Sequence, residues 1–333
     1  MHAGSHQPLA TARAATLLLA ATLLVAACGG AASGTPSGSS DATACAVTPA
    51  PPADQEGWTT ASTEPTVFPV IVNSGGSLTC GPNRLLFSFL DSENVPVGSP
   101  DRTASVALFN LGRDGATSSQ TVEGTFVWGI ENERGFYVAS VDFPEAGEWG
   151  AEFTTAVGDA APETIRMTFE VATDSPVVRV GDLAPASDTP TAASVSGDLA
   201  RISTDANPDP AFYEVSVKGA LAANDSFVLI FATPKFCTSA QCGPTLDRVK
   251  PLATEYPDVR FIHTEPYQLT FQDGSLQAVR DAGGALIPTD VVFVWGLLSE
   301  PWVFVVDADG IVTASFEGVV GPEELRAALD ALE

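Results

Sequence analysis

The sequence predicts a multidomain protein, with an all-β sandwich over residues 66–180 and an α/β domain, a mixed sheet flanked by helices, over residues 208–333. In the first segment, short runs of β-branched and aromatic residues recur between Gly, Pro, Asp and Asn, without a convincing helix. In the second, apolar runs alternate with amphipathic stretches, which indicates the order strand, helix, strand, helix, hairpin and helix.

The N-terminus predicts export and lipid anchoring. Residues 1–27 carry the basic Arg13 and then an apolar run too short to span a bilayer, which is typical of a signal peptide. The run ends Leu24-Val-Ala-Ala-Cys28, which resembles the lipobox of bacterial lipoproteins and implies that the Cys28 thiol carries a diacylglyceryl group. The alternative is an ordinary signal peptide with an incidental cysteine. We expect a secreted lipoprotein on the extracytoplasmic face of the cell membrane, bound to the membrane through its lipid alone.

Composition excludes several kinds of partner. Asp and Glu number 41 against 15 Lys and Arg, so the chain repels phosphates and is not expected to bind nucleic acid or anionic headgroups. His263 is the one histidine beyond the signal segment, which argues against a metal site. With Cys28 lipidated, an even set of cysteines remains outside the cytoplasm and suggests two disulfides: Cys45, Cys80, Cys237 and Cys242.

Two polar segments separate the predicted parts. Residues 28–65 are rich in Gly, Ala, Ser, Thr and Pro and predict a flexible tether, and residues 181–207 predict a second linker. Within the β-rich part, Phe143-Pro-Glu-Ala-Gly-Glu-Trp149 resembles a turn of bacterial immunoglobulin-like domains. That resemblance implies a binding or spacer module. Cys45 and Cys80 are expected to form a structural disulfide between the tether and this module.

The elements of the α/β part follow from its periodicity. The predicted elements are strands over 226–231 and 259–263, helices over 245–256 and near 276–282, a hairpin over 302–306 and 311–316, and a closing helix over 322–332. Two motifs lie within this pattern: Thr233-Pro-Lys-Phe-Cys237-Thr-Ser-Ala-Gln-Cys242, where the first strand ends and a helix begins, and Glu300-Pro301-Trp302 before the hairpin.

Together these motifs resemble thioredoxin-like (redoxin) proteins. The resemblance implies an α/β thioredoxin-like fold, in which Cys237 and Cys242 are the active cysteines and Pro301 is the cis-proline beside them. It implies a thiol-disulfide oxidoreductase that needs no cofactor. Its partners would be protein thiols or disulfides of the cell envelope.

The chemistry of the Cys-x4-Cys pair agrees with a redox role. Backbone N–H groups at a helix N-terminus favour a thiolate, so Cys237 is the expected nucleophile and Cys242 its resolving partner. Lys235 is expected to help, and Glu300 either raises the thiol pKa or is a solvated surface acid. An i,i+5 pair does not share a helix face, so a disulfide here predicts an irregular first helical turn.

Two alternatives remain open, a peroxiredoxin-like peroxidase and a non-catalytic binding lipoprotein, whereas a copper chaperone is disfavoured. Peroxiredoxins can carry a similar Cys-Thr-x-x-x-Cys run, yet here Thr233 lies out of register and the expected arginine near Trp302 is absent. Sco-type copper chaperones use Cys-x3-Cys and a distant histidine, which this chain does not match. The last possibility is a non-catalytic cell-envelope binding lipoprotein whose disulfides are inert.

Overall fold

The structure is a computed structural model that describes residues 45–52, 57–58 and 65–332. The predicted signal segment 1–27 and Cys28 lie outside these residues. Within the described ranges there are 15 β-strands and four α-helices, labelled in chain order below. No helix in those ranges is long and apolar enough to cross a membrane.

Strands β1 to β9, from residues 46–47 and 68–171, form two sheets around one apolar core. The strands of the first sheet are β1 (Ala46–Val47), β8 (Glu145–Val157), β4 (Arg102–Asn110) and β5 (Gln120–Glu123), with β9 (Glu163–Val171) also on β8. The second contains β2 (Phe68–Ile71), β3 (Gly81–Leu90), β7 (Arg134–Phe143) and β6 (Thr125–Ile130), in that order. Apart from the parallel β1–β8 pair, neighbouring strands are antiparallel.

Side chains along β3 point alternately to the two faces of the second sheet, and both faces are covered. Leu85, Phe87 and Phe89 point into the core between the two sheets, where they meet Tyr137 and Phe153. The intervening side chains therefore point to the opposite, outer face. Because the middle of β3 is buried at successive positions, another layer must pack on that outer face.

That layer is built on a four-stranded mixed sheet in the C-terminal part. Its order is β11 (Arg260–Thr264), β10 (Phe227–Phe231), β14 (Trp302–Val306) and β15 (Val312–Glu317), and only the β10–β11 pair is parallel. The helices are α1 (Val217–Ala223), α2 (Cys242–Glu255), α3 (Asp290–Trp295) and α4 (Pro322–Asp330). All five residues of β10 are buried, because apolar clusters cover both faces of this sheet.

The fold class predicted from the sequence is wrong. Strands make up 38% of the described residues and helices 17%, so this part of the protein is mainly β, with several sheets and few helices, rather than a sandwich followed by an α/β thioredoxin-like domain. The helix predicted near 276–282 does not form, because Ser275–Ala278 is strand β13 and pairs with β12 (Leu269–Gln272). The remaining helix before β14, α3, has six residues.

A tight turn explains why the hairpin β12–β13 forms where a helix was predicted. Asp273 and Gly274 have φ of 50° and 79°, the left-handed values that a two-residue hairpin turn requires. The turn pairs Gln272 with Ser275 and reverses the chain before a helix can begin. An Asp-Gly pair between alternating residues is a hairpin signal, and here it outweighed the weak helical pattern.

The segments expected to be tether and linker make specific contacts where they are described. Cys45 is disulfide-bonded to Cys80, and Trp58 is buried against Phe109. Residues 181–207 contain two short 3₁₀ helices, and Leu199 and Ile202 pack on the core beneath the mixed sheet. Both segments are therefore structural parts of the fold over their described lengths.

The outer face of the β2–β3–β7–β6 sheet packs directly on the C-terminal part. Leu86, Phe136 and Val319 form a buried apolar cluster between them. Beside it, the Arg84 guanidinium binds the Glu324 carboxylate at 2.7 Å and donates to the Val319 carbonyl at 2.6 Å. The expected spacer role does not describe this arrangement, since the sheet is in contact with the layer that carries the cysteines.

Candidate redox site

The Cys237–Cys242 pair lies between strand β10 and helix α2. The two residues form a disulfide with their Cα atoms 6.0 Å apart. Helix α2 begins at Cys242, so Cys237 belongs to the preceding loop, which passes through Ala240 at φ 61°. The expected irregularity of the first helical turn is not needed, because the loop accommodates the i,i+5 spacing before the helix starts.

The two sulfurs have different environments. Cys242 is 0% exposed and packs in the apolar core under the mixed sheet, whereas Cys237 is half-buried. The backbone N–H of Cys242 donates to the Cys237 Sγ at 3.2 Å, and the Ser239 hydroxyl lies 3.3 Å from the same sulfur. Of the two sulfurs, Cys237 is therefore the more accessible one and the one that accepts a backbone N–H, an arrangement that favours a thiolate over a thiol.

Glu300 joins the cysteine loop to the loop before β14. It precedes Pro301 across a cis peptide bond and is 7% exposed. Its Oε1 accepts hydrogen bonds from the Thr238 amide at 3.1 Å and the Thr238 hydroxyl at 2.8 Å. Its Oε2 accepts from the Tyr267 hydroxyl at 2.5 Å, and burial together with this carboxylate raises the pKa of Tyr267.

Glu300 therefore differs from both sequence-based expectations. It is not a solvated surface acid, and its recorded hydrogen bonds go to Thr238 and Tyr267 instead of a sulfur. The contact to the site runs through the loop: the Ser239 hydroxyl, which lies beside Cys237, also donates to the Glu300 carbonyl at 3.2 Å. Glu300 is a positioning residue for the segment that follows Cys237.

The Lys235 ammonium is not directed at the Cys237 sulfur, where it was expected to favour a thiolate. Its Nζ donates to the Leu276 carbonyl at 2.8 Å, so the ammonium is directed to hairpin β12–β13. Its backbone N–H donates to the Thr204 hydroxyl. The lysine therefore ties the start of the cysteine loop to neighbouring segments, and the positive electrostatic contribution at Cys237 comes from the helix N-terminus.

A buried histidine lies behind the loop. His263 is 1% exposed, its Nε2 is 2.9 Å from the Ala232 carbonyl, and its Nδ1 is 2.6 Å from the Tyr213 hydroxyl. Because a carbonyl only accepts, Nε2 carries the proton and the Tyr213 hydroxyl donates to Nδ1. Burial lowers the pKa of His263 and raises that of Tyr213. This neutral pair supports the end of β10, where the cysteine loop begins.

No metal centre accompanies the pair within the described residues, which contain no group of three or more His, Cys, Asp or Glu able to hold an ion. Thr233, which a peroxidase would need beside its cysteine, is 0% exposed, and its hydroxyl has no hydrogen-bond partner among the described residues. The site consists of the Cys237–Cys242 disulfide, in which Cys237 is half-buried and Cys242 fully buried.

A cleft of about 710 Å³ adjoins the cysteine loop. One wall comes from the second sheet, including Arg134, and from Val72 directly after β2, and the other from Ser239, Glu300 and the loop before β14. The Arg134 guanidinium donates to the Ser239 carbonyl at 3.0 Å across the cleft floor.

Several of these site residues were not identified from the sequence. Tyr267, Thr238 and Arg134 are separated from their partners by 33, 62 and 105 positions, and no local motif marks them. The cysteines and Pro301 could be singled out because they lie in two short motifs, one between β10 and α2 and the other directly before β14. The other residues are brought to the site by tertiary packing.

No protein-family model and no curated protein matches the chain. Among solved structures, a DUF4426 family protein from Pseudomonas aeruginosa is similar at 12% identity and TM-score 0.24, over 33% of this chain and 91% of that one. The Lin-41 filamin domain is similar at 15% identity and TM-score 0.19, over 34% of this chain and 100% of that one. Likenesses this weak carry no argument about fold or function.

Proposed function

We propose that this protein is a lipid-anchored thiol-disulfide oxidoreductase of the cell envelope, acting through Cys237 and Cys242. The observation that carries the proposal is the asymmetry of the pair. Cys237 is accessible and accepts the Cys242 N–H, while Cys242 is buried beneath it. An inert structural disulfide has no need for a hydrogen-bond donor aimed at one half-exposed sulfur.

The exchange reaction follows from this geometry. In the reduced protein, the Cys237 thiolate attacks one sulfur of a client disulfide, forms a mixed disulfide and releases the first client thiolate. The Cys242 thiol then passes its proton to the released client thiolate and attacks the Cys237 Sγ, and the second client sulfur leaves as a thiolate that takes its proton from solvent. The client gains two electrons and leaves as a dithiol, and the Cys237–Cys242 disulfide is restored. Run in reverse, the same steps oxidise a client dithiol.

Thiol trapping across a glutathione redox series tests this proposal. We expect the pair to titrate with a midpoint above about −300 mV, where reactive disulfides lie, while Cys45–Cys80 stays oxidised throughout. Cys242→Ser should accumulate mixed disulfides through Cys237, and Cys237→Ser should accumulate few. A midpoint well below that value, with no mixed disulfide in either variant, would show that the pair is structural.

Hydrogen peroxide provides the test against the peroxidase alternative. Among the described residues, the Thr233 hydroxyl is fully buried and has no hydrogen-bond partner, so it is not placed to bind a peroxide at Cys237. We expect reduced Cys237 to react slowly with peroxide, and mass spectrometry of the protein over time measures the rate of its oxidation. Rapid turnover, or rapid formation of a sulfinic acid at Cys237, would favour a peroxidase instead.

A further inference from the structure

Ser239 connects three parts of the molecule at the Cys237 sulfur. Its hydroxyl oxygen accepts from the Gln241 backbone N–H at 3.3 Å and lies 3.2 Å from the Glu300 carbonyl oxygen and 3.3 Å from the Cys237 Sγ. Its own carbonyl accepts from the Arg134 guanidinium at 3.0 Å. The cysteine loop, the loop before β14 and the second sheet therefore meet at this one residue.

The Ser239 hydroxyl has one proton and two acceptors within hydrogen-bond distance. A hydroxyl both accepts and donates, and the Gln241 N–H already occupies an accepting position of this oxygen. The other two neighbours cannot act as donors, because the Glu300 carbonyl only accepts and a disulfide sulfur carries no proton. The hydroxyl proton is therefore available to either the carbonyl oxygen or the Cys237 sulfur.

The charge on the sulfur decides which acceptor the hydroxyl proton prefers. A disulfide sulfur is a weak acceptor, so the Glu300 carbonyl is the better partner in the oxidised protein. A thiolate is charged, and hydrogen bonds to a charged acceptor are roughly twice as strong as neutral ones. Once Cys237 is reduced and its thiol has lost a proton to solvent, rotation about the Ser239 Cβ–Oγ bond is enough to direct the donor at the sulfur.

Arg134 holds the backbone that carries this hydroxyl. It is the first residue of β7, and its bond to the Ser239 carbonyl joins positions 105 residues apart. The next residue, Ala240, has φ of 61°, so the chain turns sharply directly after the carbonyl that Arg134 holds. The orientation of Ser239 at the sulfur therefore depends on a contact from the β-rich part of the chain.

We propose that Ser239 stabilises the Cys237 thiolate through a hydrogen bond from its hydroxyl, alongside the Cys242 N–H, and that Arg134 is the positioning residue that holds Ser239 for this role. The inference rests on the proposed function only for what the thiolate does, which is to attack a client disulfide. It gives the β-rich part of the chain an influence on the reactivity of Cys237 that a spacer would not have.

The pH dependence of alkylation measures the thiolate without any disulfide exchange. The full chain carrying Cys242→Ala, which leaves Cys237 without its disulfide partner, is treated with iodoacetamide between about pH 5 and 10, and mass spectrometry follows the Cys237 peptide. We expect Ser239→Ala in this background to move the midpoint of the rate profile to higher pH. Below the midpoint the rate should fall by about threefold, because the loss of thiolate outweighs the accompanying gain in its nucleophilicity.

Two further serine variants make the result specific. Ser239→Thr keeps a hydroxyl at the same position and should restore the profile of the Cys242→Ala background. Ser299→Ala removes a neighbouring hydroxyl, whose hydrogen bonds go to Glu317 and Trp302, so it should leave the midpoint unchanged. An unmoved midpoint in Ser239→Ala, or an equal shift in Ser299→Ala, would overturn the role of the Ser239 hydroxyl.

Arg134 is tested through its dependence on Ser239. Arg134→Gln should move the midpoint in the same direction as Ser239→Ala but by less, and it should add little when the two changes are combined. A positioning residue has no further effect once the hydroxyl that it positions is gone. Fully additive shifts would mean that the guanidinium acts on the sulfur through its charge alone, which would remove the positioning role.

The alkylation profile separates this inference from the proposed function. A Cys237–Cys242 pair that is inert in the glutathione redox series, with a midpoint that still depends on Ser239, would remove the oxidoreductase and leave the hydrogen bond to the thiolate. A redox-active pair whose alkylation midpoint ignores Ser239→Ala would keep the oxidoreductase and remove the inference.

Discussion

At the scale of single residues, the cysteine loop depends on the Glu300 carboxylate, which accepts three hydrogen bonds. Thr238 supplies an amide and a hydroxyl, and Tyr267 supplies a phenolic hydroxyl, all to Glu300. Hydrogen bonds to a charged acceptor are stronger than neutral ones. The loop that carries Cys237 is therefore held by these bonds to Glu300 in addition to the disulfide and the Cys242 N–H, and changes at Glu300 should alter the loop before they alter the chemistry.

We expect Glu300→Ala to lower the free energy of unfolding by about 2–4 kcal/mol, because three donors lose their acceptor in a buried site. Hydrogen exchange at Thr238 should become faster, since its amide loses the carboxylate. Tyr267→Phe is the matched control: it removes one donor, leaves both Thr238 bonds, and should cost only about 1 kcal/mol. Equal losses in the two variants would show that Glu300 does not hold the loop.

His263 should make stability depend on pH. Burial lowers its pKa from the ordinary 6.5; the carboxylates of Glu265 and Asp205 and the hydrogen bond to Ala232 act in the opposite direction, and Lys250 adds to the lowering. Below about pH 6.5 the unfolded chain therefore takes up a proton that the folded chain does not. The contribution of the neutral His263 to the free energy of unfolding is fully present above that pH and is lost as the pH falls below it.

Urea unfolding between about pH 7.5 and 5 measures this effect, in a range where most carboxylates remain ionised. We expect the free energy of unfolding to be level above about pH 7 and to fall with decreasing pH below 6.5, by at most about 1.4 kcal/mol per pH unit from this group. His263→Gln should be less stable overall but nearly flat across that range. Identical pH slopes for the two proteins would exclude His263 as the cause.

At the scale of elements, short turns decide which secondary structure forms. The Asp273–Gly274 turn produces hairpin β12–β13 where a helical pattern had been expected. Helix α2 begins at Cys242, after a loop with Ala240 in the left-handed region, and that start point sets the two sulfurs in their different environments. In both places, a few backbone torsions determine the position of a larger element.

Two glycines next to these turns give a matched test. A Cβ at Gly274 or at Gly243 would meet no atom within 4 Å, but Gly274 has φ of 79° and Gly243 lies in helix α2. We expect Gly274→Ala to lower the free energy of unfolding by about 1 kcal/mol and Gly243→Ala to raise it by about 0.5 kcal/mol. Thermal or urea unfolding measures both, and shifts in the same direction would contradict the backbone argument.

At the scale of the whole molecule, local sequence signals singled out the cysteine pair and Pro301 as candidates but did not predict the architecture. These residues lie in two short motifs, one between β10 and α2 and one directly before β14, so residue type and neighbours were enough to mark them. The contact of Arg84 with Glu324 spans 240 positions, and no local pattern encodes it. The same is true of Arg134 at Ser239, which brings the second sheet to the cysteine loop. The predicted division into spacer and catalytic part missed these long-range contacts.

The last expectation concerns the attachment of this molecule to the membrane. A charge of −26 gives the protein no attraction to an anionic surface, so the lipid expected on Cys28 is the proposed means of attachment. A diacylglyceryl group supplies two acyl chains, and two chains are what stable anchoring requires. Cys28→Ser should therefore move the protein from the washed membrane fraction to the soluble fraction on immunoblots. Cys45→Ser, which removes a different cysteine and breaks the disulfide to Cys80, should stay with the membrane. If the Cys28→Ser protein remains bound after a high-salt wash, another segment anchors it and the lipid assignment fails.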